Sequence, residues 1–352
     1  MTSCCGIRRS AIKATVARFC LSLAAVGLCV SIACAQWQRQ TVNSDADFRG
    51  LCAVSAKVAW VSGTKGTYGR TTDAGKTWSV GTVPGAARLD FRAVRAFGEG
   101  TAFLLSAGPG EDSQIYKTMD GGKTWGLQFK NSDPEAFYDA IAFWDEQNGI
   151  ALSDPVNGQF KLIVTIDGGT TWKQLTAVTL PPASAKEGAF AASGTCLVTY
   201  GEKDVWFGTG GGKVARVYHS KDRGQNWIVS DTPILAGIES AGIFSIAFRD
   251  GKHGMIVGGD YRRPNDTSAT AAITADGGKT WTLLERPFSF RSCVAWAEDR
   301  WIAVGTSGSD FSLHDGATWK SIDQDNYNTV GVSPTGDGWA VGPKGRIVKL
   351  IK

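Results

Sequence analysis

Thr118-Met119-Asp120-Gly121-Gly122-Lys123-Thr124-Trp125 reads as the end of one strand, a tight turn and the start of the next, and the chain repeats it. The pattern Ser/Thr-x-Asp-x-Gly-x-Thr/Asn-Trp recurs at Thr71 to Trp78, Thr165 to Trp172, Ser220 to Trp227 and Thr274 to Trp281. A shortened sixth copy runs from Leu313 to Trp319. Successive tryptophans are 47, 47, 55, 54 and 38 residues apart. That is the length of a four-stranded propeller blade with variable loops.

A second register sets the phase. A short apolar run precedes each turn, as in Val58-Ala59-Trp60-Val61, Asp204-Val205-Trp206-Phe207 and Arg300-Trp301-Ile302-Ala303. The seventh run, Gly338-Trp339-Ala340-Val341, has no turn motif after it, and the chain ends on the strand-like Arg346-Ile347-Val348-Lys349-Leu350. The missing partner is at the other end, where Trp37 to Val42 resembles the strand that follows a turn. Pairing the two removes both open edges. The expected fold is therefore all-β, a seven-bladed β-propeller of residues 36–352 closed by its N- and C-terminal strands in one blade. Blade one is expected at Phe48 to Val54, Val58 to Ser62, Thr67 to Thr72 and Trp78 to Thr82. The other inner strands should begin near Phe91, Phe137, Thr195, Ile243, Arg291 and Thr329, and no stretch predicts a helix.

Composition agrees with many short strands and tight turns: 44 of the 352 residues are glycine and 13 are tryptophan. The chain has 37 basic and 33 acidic residues. Arg8, Arg9, Lys13 and Arg18 precede any acid, so the chain from residue 36 carries 33 of each. A neutral chain lacks the cationic footprint of nucleic-acid binding. The basic start, the apolar Phe19 to Ala33 and the small Ala33-Cys34-Ala35 predict an export signal over residues 1–35. Fifteen apolar residues are too few to span a bilayer, so the mature protein is expected to be exported without a transmembrane span, to a periplasmic or extracellular location. Of eight cysteines, Cys52, Cys196 and Cys293 remain after residue 35. Each lies in an apolar run, without the spacing of a disulfide framework or metal site.

The turn motif has a physical role. A short Asp side chain accepts hydrogen bonds from turn amides, and glycine takes a conformation costly to other residues. Asp73, Asp120, Asp167, Asp222 and Asp276 are accordingly structural, and their spacing lacks the pattern of a calcium loop. These Asp-box (BNR) repeats, with openings such as Phe48-Arg49-Gly50-Leu51, resemble those of the photosystem II stability/assembly factor family of seven-bladed propellers. The resemblance spans residues 36–352. It implies a binding or scaffold protein, and the wider Asp-box group includes sialidases.

Strand starts in a propeller face the channel mouth opposite the Asp turns. Arg49, Arg92 and Arg291 each follow a phenylalanine at such a start, which suggests a cationic collar for a carboxylate or acidic peptide. Pairing of these arginines with neighbouring-blade acids such as Asp90 and Asp139 is the structural alternative. Asp139, Asp154, Asp260 and Tyr261 are placed on the same face, beside long loops at Thr176 to Gly188 and Gly258 to Thr270. A sialidase-like glycoside hydrolase is the competing function, with Tyr138 and Asp139 as available groups, although the Arg-Ile-Pro motif is absent. Gly208 to Lys213 misses the phosphate-loop pattern and reads as a turn. The expectation is a non-catalytic monomer that binds a protein or peptide, with no cofactor and no metal.

Overall fold

The computed structural model describes residues 35–285, 288–313 and 315–351. Of the expected export segment, residues 1–34 lie outside the described residues, and Ala35 is buried between the last two blades.

Seven four-stranded antiparallel sheets form a ring, each inner strand abutting the next and the seventh abutting the first. The chain is a seven-bladed β-propeller. Blade one comprises Phe48–Ala53, Ala59–Gly63, Thr67–Thr71 and Ser79–Thr82. The following inner strands are Phe91–Ala96, Tyr138–Phe143, Leu197–Tyr200, Ala241–Phe248, Cys293–Ala297 and Thr329–Val332. The last sheet takes three strands from the C-terminus and its outer strand, Gln36–Arg39, from the N-terminus. Trp37 pairs with Leu350 and Arg39 with Val348, so the ring is closed by main-chain hydrogen bonds. The helical content of the described residues is one three-residue 3-10 turn, Gly110–Asp112, and no helix is long and apolar enough to cross a membrane.

The repeated turns show why the sequence keeps Asp at one place. Asp73 Oδ1 accepts from the Thr77 amide and the Thr71 hydroxyl, each at 2.9 Å, and Oδ2 accepts from the Thr77 hydroxyl at 2.6 Å. Thr71 Oγ1 in turn accepts from the amide of Gly75, whose φ of 82° lies in the left-handed region. The same closed set recurs at Asp120, Asp167, Asp222 and Asp276. Each turn fixes two strands of one blade. The tryptophan that follows packs back onto the preceding blade: Trp125 meets Tyr68 at 5.0 Å, and Trp281 shares a core cluster with Trp206. Edge-to-face aromatic pairs of this kind each add about 0.5–1.5 kcal/mol beyond area burial.

The turn hydrogen bonds hold the carboxyls of Asp73, Asp120, Asp167 and Asp276 at about 2, below the usual 3.8. A folded-state value below the unfolded one contributes stability above pH 4 and loses it as pH falls toward 2. Acid titration should therefore show a cooperative loss of strand signal between about pH 4 and pH 2. Replacing these four residues with Asn should flatten that dependence while lowering stability at pH 7.

Candidate functional site

Four of the seven inner strands enter the ring through β-bulges. Pairing shifts register between Phe48 and Gly50, Phe91 and Ala93, Tyr138 and Ala140, and Ile243 and Ser245. The extra residues are Arg49, Arg92, Asp139 and Phe244, so one position of the repeat carries two guanidiniums, a carboxyl and a phenyl ring. A bulge re-aims its side chain out of the regular alternation. The collar is mixed in chemistry.

Arg291 does not belong to it. Gly63 ends the second strand of blade one opposite Phe48, and its counterpart Gly305 stands against Arg291. Arg291 thus occupies the place of Phe48, one residue out of phase with Arg49, and a one-residue slip sends a side chain to the opposite face. It is buried and paired with Asp310 inside its own blade, Nε to Oδ2 at 2.8 Å. The repeated Phe-Arg dipeptide was a misleading marker of phase. Ser292 and Asn328 hold the equivalent mouth positions of blades six and seven, and both line the cavity there.

The channel is crossed by a strap that the loop boundaries in the sequence did not reveal. Residues 189–194, Ala-Phe-Ala-Ala-Ser-Gly, lead into the inner strand of blade four. Arg92 Nη1 donates to the Ala191 carbonyl at 3.1 Å, and Arg49 Nε donates to that of Ala192 at 3.4 Å. Arg95 Nη2 donates to Gly194 O at 3.0 Å, and Ser193 Oγ donates to Ser292 O at 3.0 Å. One segment therefore touches blades one, two and six. Its base is anchored by a two-way amide pairing between Gly188 and Gly210, and by Asp154 Oδ1, which accepts from Ala189 N at 2.8 Å. Glu187, with a fully buried side chain, accepts from Arg216, Thr209 and the Ser184 amide. The run Gly208 to Gly211 permits this crowding: a Cβ on Gly210 would lie 2.6 Å from the backbone of both Ala241 and Gly242. Small side chains let the strap lie flat across the ring.

Above the strap is a cavity of about 470 Å³. Arg49 and Arg92 form one side, and Phe190, Phe244, Tyr261 and Phe290 form an aromatic wall, with Glu239 on the rim. Phe190 and Phe244 stack at 4.0 Å with planes 10° apart, and Phe290 meets Phe244 edge-on at 4.8 Å. Each mouth arginine is already paired with the acid two residues before it, Arg49 with Asp47 at 3.1 Å and Arg92 with Asp90 at 2.8 Å. These pairs are local to one blade, so the acids that meet Arg49 and Arg92 are not those of a neighbouring blade. The guanidinium Nη2 groups of Arg49 and Arg92 have no protein partner among the described residues.

The other candidate residues fall outside this cavity. Asp139 is buried, its Oδ2 has no hydrogen-bond partner among the described residues, and burial raises its pKa well above the ordinary value. Burial also pushes Asp154 up to about 6, against the amide of Ala189. Asp260 is buried and organises its own loop, accepting from the Arg262 amide and from Arg263 Nε at 2.9 Å each. That loop delivers Tyr261 to the cavity. Tyr138 is buried as well, its hydroxyl pushed up to about 12. Tyr138 lines a separate cavity of about 160 Å³ with Asp133 and Lys161, away from the strapped mouth. No group of three or more His, Cys, Asp or Glu side chains able to hold a metal occurs among the described residues.

No protein-family model matches the chain, and no curated protein sequence matches it. Solved structures do. A structure described as YCF48 bound to D1 peptide is similar at a TM-score of 0.65, with 15% identity over 90% of this chain and 97% of that one. YCF48 from Cyanidioschyzon merolae is similar at 0.64, with 15% identity over 89% and 98%. A streptogramin B lyase is similar at 0.64, with 13% identity over 90% and 97%. At these identities the likeness is one of fold, shared by a peptide-bound protein and an enzyme alike.

Proposed function

We propose that the protein is an exported, non-catalytic propeller, assembly-factor-like in role, that binds a segment of another protein at the strapped mouth. The observation that carries this reading is the cavity itself, in which Arg49 and Arg92 face an aromatic wall across a space of about 470 Å³. That volume suits a short peptide segment, with aromatic rings for an apolar side chain and guanidinium forks for oxygen acceptors. The strap supports it further, because these arginines already hold main-chain carbonyls in a peptide's manner. The peptide bound in a protein of the same fold adds to this. Because Asp47 and Asp90 offset the two arginines, the occupant supplies carbonyl or single carboxylate oxygens and not a strongly acidic run.

The test is a pull-down from envelope extract, quantified for intact protein, for Arg49→Gln with Arg92→Gln, and for Tyr261→Ala. The double change should lower capture of the partner at least tenfold, about 1.4 kcal/mol, through loss of charge-assisted hydrogen bonds. Tyr261 is 45% exposed, so its loss should leave the melting temperature unchanged and still reduce capture several-fold. Equal capture by all three proteins would remove the mouth from consideration.

A further inference from the structure

A third arginine also holds the strap. Arg95 lies on the inner strand of blade two and reaches across to Gly194 O at 3.0 Å, while Nη1 donates to Val94 O at 3.0 Å. No carboxylate among the described residues pairs with it, in contrast to Arg49, Arg92 and Arg291. Its Nε–H has no protein partner among the described residues. Gly194 stands between Ser193, which donates to Ser292 O of blade six, and Thr195, which donates to Ser245 Oγ of blade five, so the guanidinium is turned toward the channel. The residues at or near its level on the other inner strands are small or apolar: Cys52, Ala142, Val198, Ala247, Ala295 and Gly331. Apart from the buried Ala142, they and Arg95 are only partly buried, so solvent reaches this depth.

A guanidinium enclosed by apolar walls without a counter-charge is costly, and the cost is relieved by a partner anion. The thiols of Cys52, Cys196 and Cys293 do not supply one, since burial pushes the pKa of each above its ordinary value and keeps it protonated at neutral pH. We propose that the lower channel is a binding site for one small monovalent anion, held by Arg95 beneath the strap. The free Nε–H is the donor for it, and low-polarity walls strengthen the attraction. Such an anion would brace the strap from below, because the same guanidinium holds Gly194. The site is independent of what binds at the mouth.

Chloride is the probe. Thermal unfolding of the full-length protein is measured at constant ionic strength while chloride replaces gluconate, an anion too bulky for the channel. A saturable rise of about 3 °C is expected from linkage of binding to folding. Arg49→Gln should keep that rise, and Arg95→Met should abolish it. Should Arg95→Met fail to fold, diffraction from bromide-soaked crystals of the unaltered protein decides, with an anomalous peak beside Arg95 as the expected result. A melting temperature indifferent to the exchange, a rise that survives in Arg95→Met, or a channel empty of bromide would overturn the site.

Discussion

Deleting Trp37 to Val42 from the otherwise complete chain is expected to leave a protein that aggregates or melts far below the intact one. Gln36–Arg39 covers the edge of Arg346–Ile351, and Gln40 N continues the ladder by donating to Ile347 O at 2.9 Å. Without that strand the last sheet exposes a row of unpaired amides and carbonyls on a β-rich, apolar segment, a template for pairing with a second molecule. Trp37 is also a link between blades, its Nε1 donating to Ser309 Oγ at 2.9 Å and its ring 6.0 Å from Tyr327. Removing a tryptophan of this kind alone costs about 3 kcal/mol. Thermal melts combined with light scattering read both consequences. A deleted form that melts with the intact protein and stays monodisperse would mean the ring does not depend on its closure.

Glu187→Ala is the point change with the largest expected effect, about 3 kcal/mol. The Glu187 side chain is fully buried and serves four donors from Arg216, Thr209 and the Ser184 amide. Truncation strands the Arg216 charge, which is itself only 14% exposed, and removes the acceptor of the Ser184 amide. The residue stands next to Gly188, where the strap begins, so the damage should be felt first at the mouth. Chemical denaturation gives the stability loss, and hydrogen exchange at residues 189–194 gives its location. The changes should appear together, with exchange elsewhere in the ring much less affected at low denaturant. A variant with unaltered exchange in the strap would separate Glu187 from the site.

Much of the ring was legible along the chain because its causes are local. An octapeptide whose Asp closes a hairpin announces itself wherever it stands, and Asp73, Asp120, Asp167, Asp222 and Asp276 marked five blades without reference to one another. Closure was legible too, since a strand lacking a partner at one terminus and an orphaned Trp37 at the other call for the same sheet. The mouth was harder. Arg49 and Arg92 reach the cavity as their phase predicts, and Tyr261 reaches it on its loop.

Phase failed at Arg291. The dipeptide Phe290-Arg291 matches Phe48-Arg49 letter for letter, but strand alignment is set by which backbone groups pair, and Gly305 faces Arg291 where Gly63 faces Phe48. Asp139 keeps the phase of Arg49 and is nevertheless buried. The run Ala189 to Gly194 carried the one available signal, small residues around Phe190 at the end of a long loop, with nothing in it to say that it crosses the channel. The blades and their order follow from short-range hydrogen bonding and from the pairing of apolar faces, which repeat with the sequence. The character of the mouth and the unpaired charge of Arg95 depend on side chains from several blades meeting on one axis. No neighbourhood of the chain contains that meeting, and only the closed ring brings it about.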